Sequence, residues 1–273
     1  MPPVRVLQVS DLHVGTREEP EVESGLRTLV AACEPELVVA SGDLTHRNRR
    51  DEHERAAALL RSLKRPLLVI PGNHDIPRMP PGRFTRTFDE FLRLWPETEP
   101  VYRSESVVAV GLNSVRPWKQ QGGALRDRQL EHAGRVFAEA AATALRVVAL
   151  HHHLLGAPWR TTKRTIANRS SVLGALVDAG AELIMSGHVH QSALGERREF
   201  EVVAVNVHGT TVATAPGLGQ PRPKRRGEAR GLHLFEADEG SIRVLTYSWL
   251  GNRWAQIADR RFPRGLEPLS AIG

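Results

Sequence analysis

Cysteine is nearly absent from this 273-residue chain, in which Cys33 stands alone. One thiol cannot form an intramolecular disulfide, which excludes a stapled secreted scaffold and fits a reducing compartment. Cys33 itself is expected to pack as a small apolar side chain near a helix end. Long hydrophobic runs are missing too. No stretch approaches the roughly 18 apolar residues of a transmembrane helix, so no membrane partner is expected. A leader segment is not expected either, because removing about 15–30 residues would take Asp11 and His13 with it. These absences point to a cytoplasmic protein. Linkers, internal repeats and low-complexity tracts are also lacking. Residues 1–273 therefore read as a single domain, whose 41% hydrophobic content is ample for a core. No Cys or Ser nucleophile motif is visible, so nothing calls for a covalent intermediate.

Lysine is scarce. Of 37 basic residues, 33 are arginine, spread among alanines along the whole chain. The formal net charge is +6 and the isoelectric point is about 10.2. Such a balance can mark a nucleic-acid or anionic surface, but so even a spread reads as coding bias. The one dense cluster, Pro221-Arg-Pro-Lys-Arg-Arg226, is expected to form a solvated loop. Guidance of anionic substrates by Arg222–Arg226 stays open.

What the chain does contain is seven residues with metal-ligand chemistry in five short blocks: Asp11-Leu-His13, Gly42-Asp43, Gly72-Asn73-His74-Asp75, His151, and Gly187-His188-Val189-His190. Oxygen and imidazole donors without thiolate suit Mn, Fe, Zn, Co or Mg better than a structural zinc knuckle. Two divalent metals sharing one carboxylate, about 3.5–4 Å apart, clamp an in-line displacement at phosphorus and generate hydroxide at neutral pH. Each block follows a short apolar run that reads as a strand. Ligand sites of α/β sheets lie beyond the carboxyl ends of strands, where loops converge. Gly42, Gly72 and Gly187 each precede a ligand and allow tight turns there. The Asp-x-His and His-x-His spacings suit extended segments, in which residues two apart project to one side.

These blocks, in this order, resemble the calcineurin-like metallophosphoesterase superfamily, whose pattern runs D-x-H, G-D, G-N-H-[DE], a lone H after a strand, and G-H-x-H. Gly111-Leu-Asn-Ser114, Gly123-Ala-Leu125 with Gln129-Leu130, and His151-His-His-Leu-Leu155 are similar to its class III cyclic nucleotide phosphodiesterase branch. The resemblance implies that Asp11, His13 and His190 hold one metal, that Asn73, His151 and His188 hold a second, and that Asp43 bridges them. The ions would be Mn, Fe, Zn or Co. Against two divalent ions, Asp11, Asp43 and a bridging hydroxide leave a net charge of about +1, which attracts an anionic phosphodiester. The implied reaction is hydrolysis of a small, cyclic nucleotide-like phosphodiester by in-line attack of that hydroxide. By the same match His74 donates to the substrate or protonates the leaving alkoxide, and Asp75 orients an imidazole N–H behind the ligands. His152 and His153 are pocket-lining candidates, His153 standing where many relatives have proline.

Other functions compete. A nuclease is suggested by the isoelectric point, but the chain has little room for the extra domain that nucleases of the superfamily carry. A phosphomonoesterase needs additional positive charge, for which Arg116 or the Arg222–Arg226 loop are candidates. A non-catalytic scaffold is disfavoured by the intact ligand set. A homodimer is left open. His46, His53 and His132 are expected to be solvated, and His208 and His233 structural, with the distance of His208 from the metals left open.

Apolar runs at Val4–Val9, Leu37–Ala40, Leu67–Ile70, Val107–Leu112, Arg146–Leu150 and Glu182–Met185 read as buried strands. Amphipathic helices are expected over Asp51–Lys64, Arg126–Thr143 and Ser170–Ala179. Phe84, Phe88, Phe91, Leu92 and Trp95 form an apolar stripe expected in the core. Strands near Glu201–Val207, Thr210–Thr214, Gly231–Ala237, Ile242–Trp249 and Arg253–Ala258 are expected to complete a second sheet. The fold class is α/β, a four-layer αββα sandwich of two mixed β-sheets flanked by helices. The segments Ile76–Pro100, Val115–Gly123 and Ala157–Asn168 are left to build the pocket walls.

Overall fold

The computed structural model describes residues 3–16, 20–159, 161–200, 208–219 and 228–264. Two six-stranded mixed sheets lie face to face. The first contains β1 (Val4–Val9), β2 (Leu37–Ser41), β3 (Leu67–Ile70), β10 (Gly231–Ala237), β11 (Ser241–Trp249) and β12 (Trp254–Pro263), in the order β12-β11-β10-β1-β2-β3. The second contains β4 (Val101–Arg103), β5 (Val107–Leu112), β6 (Leu145–Leu150), β7 (Leu183–Ser186), β8 (Ala193–Glu196) and β9 (Thr211–Thr214), in the order β4-β5-β6-β7-β9-β8. Strands β1, β2 and β3 are mutually parallel, as are β5, β6, β7 and β9; antiparallel strands close both edges of the second sheet and one edge of the first, whose other edge is the parallel β3.

Alternation along the strands builds the layers. Val6 and Val39 point into the core between the sheets, together with Val147 and Met185 of the facing sheet. Leu7 and Val9 point the other way, beneath helices α1 (Pro20–Cys33) and α2 (Arg50–Ser62). On the far side α5 (Asp127–Ala138) and α6 (Arg169–Asp178) pack on the second sheet through Ala133, Phe137, Val172 and Leu176. Each fully buried Leu or Val contributes about 1.5–3 kcal/mol. The four layers are those expected from the sequence. Gln8 is a buried polar exception between the sheets. Its amide donates to Ser41 Oγ at 3.0 Å and to the Ser186 carbonyl at 2.9 Å, tying the carboxyl ends of the two sheets together.

Two sequence expectations need correction. Of the expected late strands that fall among the described residues, only β9 enters the second sheet, where it pairs with β8. Strands β10 to β12 instead extend the first, because β10 pairs antiparallel with β1 from Val4↔Ala237 to Gln8↔His233. The stripe from Phe84 to Trp95 is split between two short helical turns, α3 (Gly82–Thr85) and α4 (Asp89–Leu92). Phe91 and Trp95 are buried, whereas Phe84 and Leu92 are exposed. The strand expected near Glu201–Val207 and the Arg222–Arg226 cluster lie outside the described residues. Among the described residues no helix is long and apolar enough to cross a membrane.

Candidate metal centre

All five motif blocks meet at one end of the sandwich. Strands β1, β2 and β3 deliver Asp11, Asp43 and Asn73 from the first sheet, and β6 and β7 deliver His151 and His188 from the second. The seven ligand candidates sort into two groups, and a third group, His13 with His46 and His74, overlaps the first. Donor atoms of Asp11, His13 and His190 lie within 4.8 Å of one another, as do those of Asp43, His151 and His188. Asn73 Oδ1 is 3.3 Å from His151 Nε2, which puts it with the second group. Asp43 faces both: its Oδ2 is 3.7 Å from His13 Nε2 and its Oδ1 is 3.3 Å from His151 Nε2.

The backbone differs from the extended segments expected. Asp11, His13, Asp43, His188 and His190 all have φ between 47° and 75°, in the left-handed region. Each such non-glycine residue costs about 1 kcal/mol or more, and such strain gathers where the surroundings impose it. The paired motif residues share the site because successive left-handed turns fold them back, not through strand alternation. Backbone bonds hold the turns: Asp11 N–H donates to the Gly42 carbonyl at 2.9 Å, and His13 N–H to the Asp43 carbonyl at 3.0 Å. The glycines give clearance. A Cβ on Gly42, itself at φ 91°, would lie 2.7 Å from His151 Nδ1, and one on Gly72 would collide with Asp43.

The donor set fits divalent metals. Asp11 Oδ1 and Asp43 Oδ2 are buried with no hydrogen-bond partner, which would leave carboxylate oxygens unsatisfied unless a cation met them. Outer contacts aim the imidazoles. His151 Nδ1 lies 2.9 Å from the Ser41 carbonyl and His188 Nε2 lies 3.1 Å from the Gln121 carbonyl. Each nitrogen donates there, which leaves His151 Nε2 and His188 Nδ1 as electron-pair donors toward the cluster.

Two of the imidazoles have the protonation state a ligand needs. Burial pushes the His13 imidazole down to about 3, and it holds His188 well below its ordinary range. Both are therefore neutral, as ligands must be. Burial opposes charge on Asp11 and Asp43 as well. The facing imidazoles, His190 for Asp11 and His151 for Asp43, overcome that and hold both carboxyls well below the usual carboxylate range. His151 is the converse case: burial disfavours its charge, but the Asp43 carboxylate beside it raises it to about 9.

The remaining expectations come out unevenly. His74 lines a cavity of about 410 Å³ beside the cluster, its ring 4.8 Å from that of His13. Asp75 is fully buried but orients no imidazole. Its carboxylate accepts backbone N–H groups of Leu44, Thr45 and Gly72 at 2.8–3.1 Å, plus the Thr45 hydroxyl at 2.9 Å. Arg116 is buried and spends its guanidinium on the Asn113 and Val115 carbonyls and on Gln129 Oε1; it does not line the cavity. His152 and His153 are buried behind the ligands, His152 paired with Ser114 Oγ at 2.8 Å, and neither lines the cavity.

His53 is buried rather than solvated, with Nε2 at 2.8 Å from Asn48 Oδ1. His132 is half-buried and His208 is exposed. His233 is fully buried and structural, as expected. Sequence reasoning missed His46, whose ring stacks on His74 at 5.9 Å and lines the cavity. Its position three residues after Asp43, on the same ligand turn, was the available signal. Arg47, Arg78 and Gln121 were missed too; the Ile76–Pro100 and Val115–Gly123 segments do supply cavity wall, and the described residues of Ala157–Asn168 supply none.

Comparison with known proteins follows the same lines. The family model described as calcineurin-like phosphoesterase matches residues 4–192. The serine/threonine-protein phosphatase CPPED1 of Bos taurus is 26% identical over 195 residues, covering 66% of this chain; the chain spans 61% of that relative's length. The 3′,5′-cyclic adenosine monophosphate phosphodiesterase CpdA of Haemophilus influenzae is 26% identical over 220 residues, 74% of this chain and 76% of the relative. Among solved structures, purple acid phosphatase PPD1 of yellow lupin superposes with a TM-score of 0.71 at 11% identity, over 99% of this chain and 57% of its own. A dimetal phosphatase from Danio rerio gives 0.66 at 13%, over 97% and 100%. Similarity at that identity establishes the fold alone.

Proposed function

The chain belongs to the calcineurin-like phosphoesterase family, and from that premise we propose that it hydrolyses phosphoric esters, cleaving a phosphodiester bond of a small, cyclic nucleotide-like molecule at a two-metal centre. The observation that carries this reading is the placement of Asp43, whose two carboxylate oxygens address two separate imidazole groups. Asp11, His13 and His190 would hold one divalent ion, and Asn73, His151 and His188 the other, with Asp43 between them. Bound there, Mn, Fe, Zn or Co supplies Lewis acidity at phosphorus and a nucleophile at neutral pH.

The chain's own groups do the rest. Asn73 contributes a neutral oxygen, so the site keeps excess positive charge for an anionic ester. His74 Nδ1 lies 2.9 Å from the His46 carbonyl and donates to it, and a proton held on Nε2 would be the one passed to the leaving oxygen. Asp75 holds the turns of Asp43 and Asn73 in register through its backbone acceptors. The lone Cys33 supports a cytoplasmic setting.

A second reading, phosphomonoester hydrolysis, is favoured by the similarity to CPPED1, a protein phosphatase by name. The test is a substrate panel: Mn-loaded protein against 3′,5′-cAMP, 2′,3′-cAMP, a glycerophosphodiester, a nucleoside monophosphate, a phosphopeptide and single-stranded DNA, with Asn73→Ala as control. One small diester should lead in kcat/KM by at least tenfold, about 1.4 kcal/mol of transition-state stabilisation, and the variant should be inactive. A lead for the monophosphate or phosphopeptide would install the second reading, and a lead for DNA would make the protein a nuclease.

A further inference from the structure

The cavity beside the metal cluster is unusually one-sided in charge. Three arginines line it, Arg47, Arg78 and Arg83, and among the described residues no acidic side chain does. Arg83 is buried, at 6% exposure. Its guanidinium donates to the carbonyls of Pro117 at 2.5 Å, Pro77 at 3.1 Å and Lys119 at 3.0 Å. Those bonds clamp the segment after β3 to the segment after β5. They satisfy the donors without neutralising the charge, since no carboxylate accompanies them among the described residues.

Arg47 and Arg78 are of a different kind. Both are exposed. Among the described residues neither side chain makes a hydrogen bond or an ion pair. They form the wall between this cavity and a neighbouring hollow that holds Asp89 and Glu90. Glu90 is already paired with Arg93 at 2.7 Å. Both arginines reach the cavity from ligand turns, Arg47 four residues beyond Asp43 and Arg78 five beyond Asn73, so the rigid end of the fold fixes their bases. His46 and His74 stand in the same cavity. With no acceptor of their own among the described residues, these two guanidinium groups are available to a phosphate additional to one held at the metal cluster, and guanidinium is the side chain best matched to phosphate oxygens.

We propose that Arg47 and Arg78 form a second anion subsite, and that the preferred substrate is therefore a phosphodiester bearing a further phosphate group. This inference rests on the diesterase reading above for the scissile bond, but the subsite itself can be tested apart from it.

The probe pair is thymidine 5′-(p-nitrophenyl phosphate) with and without a 3′-phosphate. The scissile diester is the same and only the second anion differs. Products are scored by chromatography, so cleavage at either ester bond counts. Full-length Mn-loaded protein should favour the 3′-phosphorylated compound in kcat/KM by at least about tenfold. The Arg47→Ala/Arg78→Ala double variant should lower that preference to threefold or less, and Arg47→Lys/Arg78→Lys, which keeps the charge, should retain most of it. A wild-type preference below threefold, or one undiminished in the alanine variant, overturns the proposal.

If neither compound is cleaved, the diesterase reading fails, and calorimetry decides the subsite. Thymidine 3′,5′-bisphosphate should then bind the wild type at least tenfold more tightly than thymidine 5′-monophosphate, with the difference lost in the alanine variant. Equal affinities would refute the subsite.

Discussion

Replacing Asp75 by alanine perturbs the centre without touching a ligand. The carboxylate is fully buried and accepts from Leu44 N–H at 3.1 Å, Thr45 N–H at 2.8 Å, Thr45 Oγ at 2.9 Å and Gly72 N–H at 2.8 Å. Leu44 and Thr45 follow Asp43, and Gly72 precedes Asn73, so one side chain pins the turns that carry two ligands from neighbouring strands. Its removal orphans three buried N–H groups, each worth about 1–3 kcal/mol when left unsatisfied. Water entering the vacated space recovers part of that. The expected net loss is about 3–5 kcal/mol. For a domain of this size it corresponds to a fall in Tm of roughly 6–20 °C. The assay is urea unfolding in EDTA, so that metal affinity does not enter, with midpoint and slope both fitted. Asp75→Asn keeps the size and one acceptor oxygen, and is expected to lose less. An Asp75→Ala protein within about 1 kcal/mol of wild type would refute the argument, since the turns would then be held by something else.

Three further outcomes are expected. His233 is buried and held down to about 4 by that burial. The unfolded chain takes up this proton near pH 6.5 and the folded one only near 4, so stability is full above 6.5 and about 3 kcal/mol is lost as pH falls across that window; unfolding midpoints of His233→Gln should fall less over the same window, and parallel curves would contradict this. His151, raised to about 9 by Asp43, must lose its proton for a metal to bind. Mn affinity by calorimetry should therefore rise with pH up to about 9 and level off above, and a flat profile from neutrality upward would contradict the assignment. His74→Ala should keep its metal content and lose about 10²–10⁴ in kcat on a diester with a poor leaving group, but much less on a p-nitrophenyl ester; unchanged kcat on the poor leaving group would remove His74 from the mechanism.

Most of this centre was legible because its chemistry is carried by short local blocks. Asp11, Asp43, Asn73, His151 and His188 each follow a buried strand, and parallel strands bring their carboxyl ends together whatever the loops do. What stayed hidden depends on tertiary geometry. The left-handed turns at Asp11, His13, Asp43, His188 and His190 are only faintly marked in residue type: Asp and His are enriched there among non-glycine residues, yet such conformations stay uncommon for them. The pairing of β10 with β1 joins residues more than two hundred positions apart, and the apolar pattern of β10 to β12 suits either sheet. Asp75 and Arg116 looked available for site chemistry because sequence shows charge and not partners. Their acceptors and donors are mostly backbone groups supplied by the fold. His46 is a lone histidine in a loop and carries no pattern; only folding stacks it on His74.

The central claim is that the Asp11–His13–His190 group and the Asp43–Asn73–His151–His188 group each hold a divalent ion. Calorimetric titration of metal-stripped protein with Mn, read for stoichiometry, tests it most directly. The expected result is two ions per chain, with Asp43→Asn weakening both. Binding of one ion or none by the folded protein, or an Asp43→Asn variant that binds both as tightly as wild type, would contradict it.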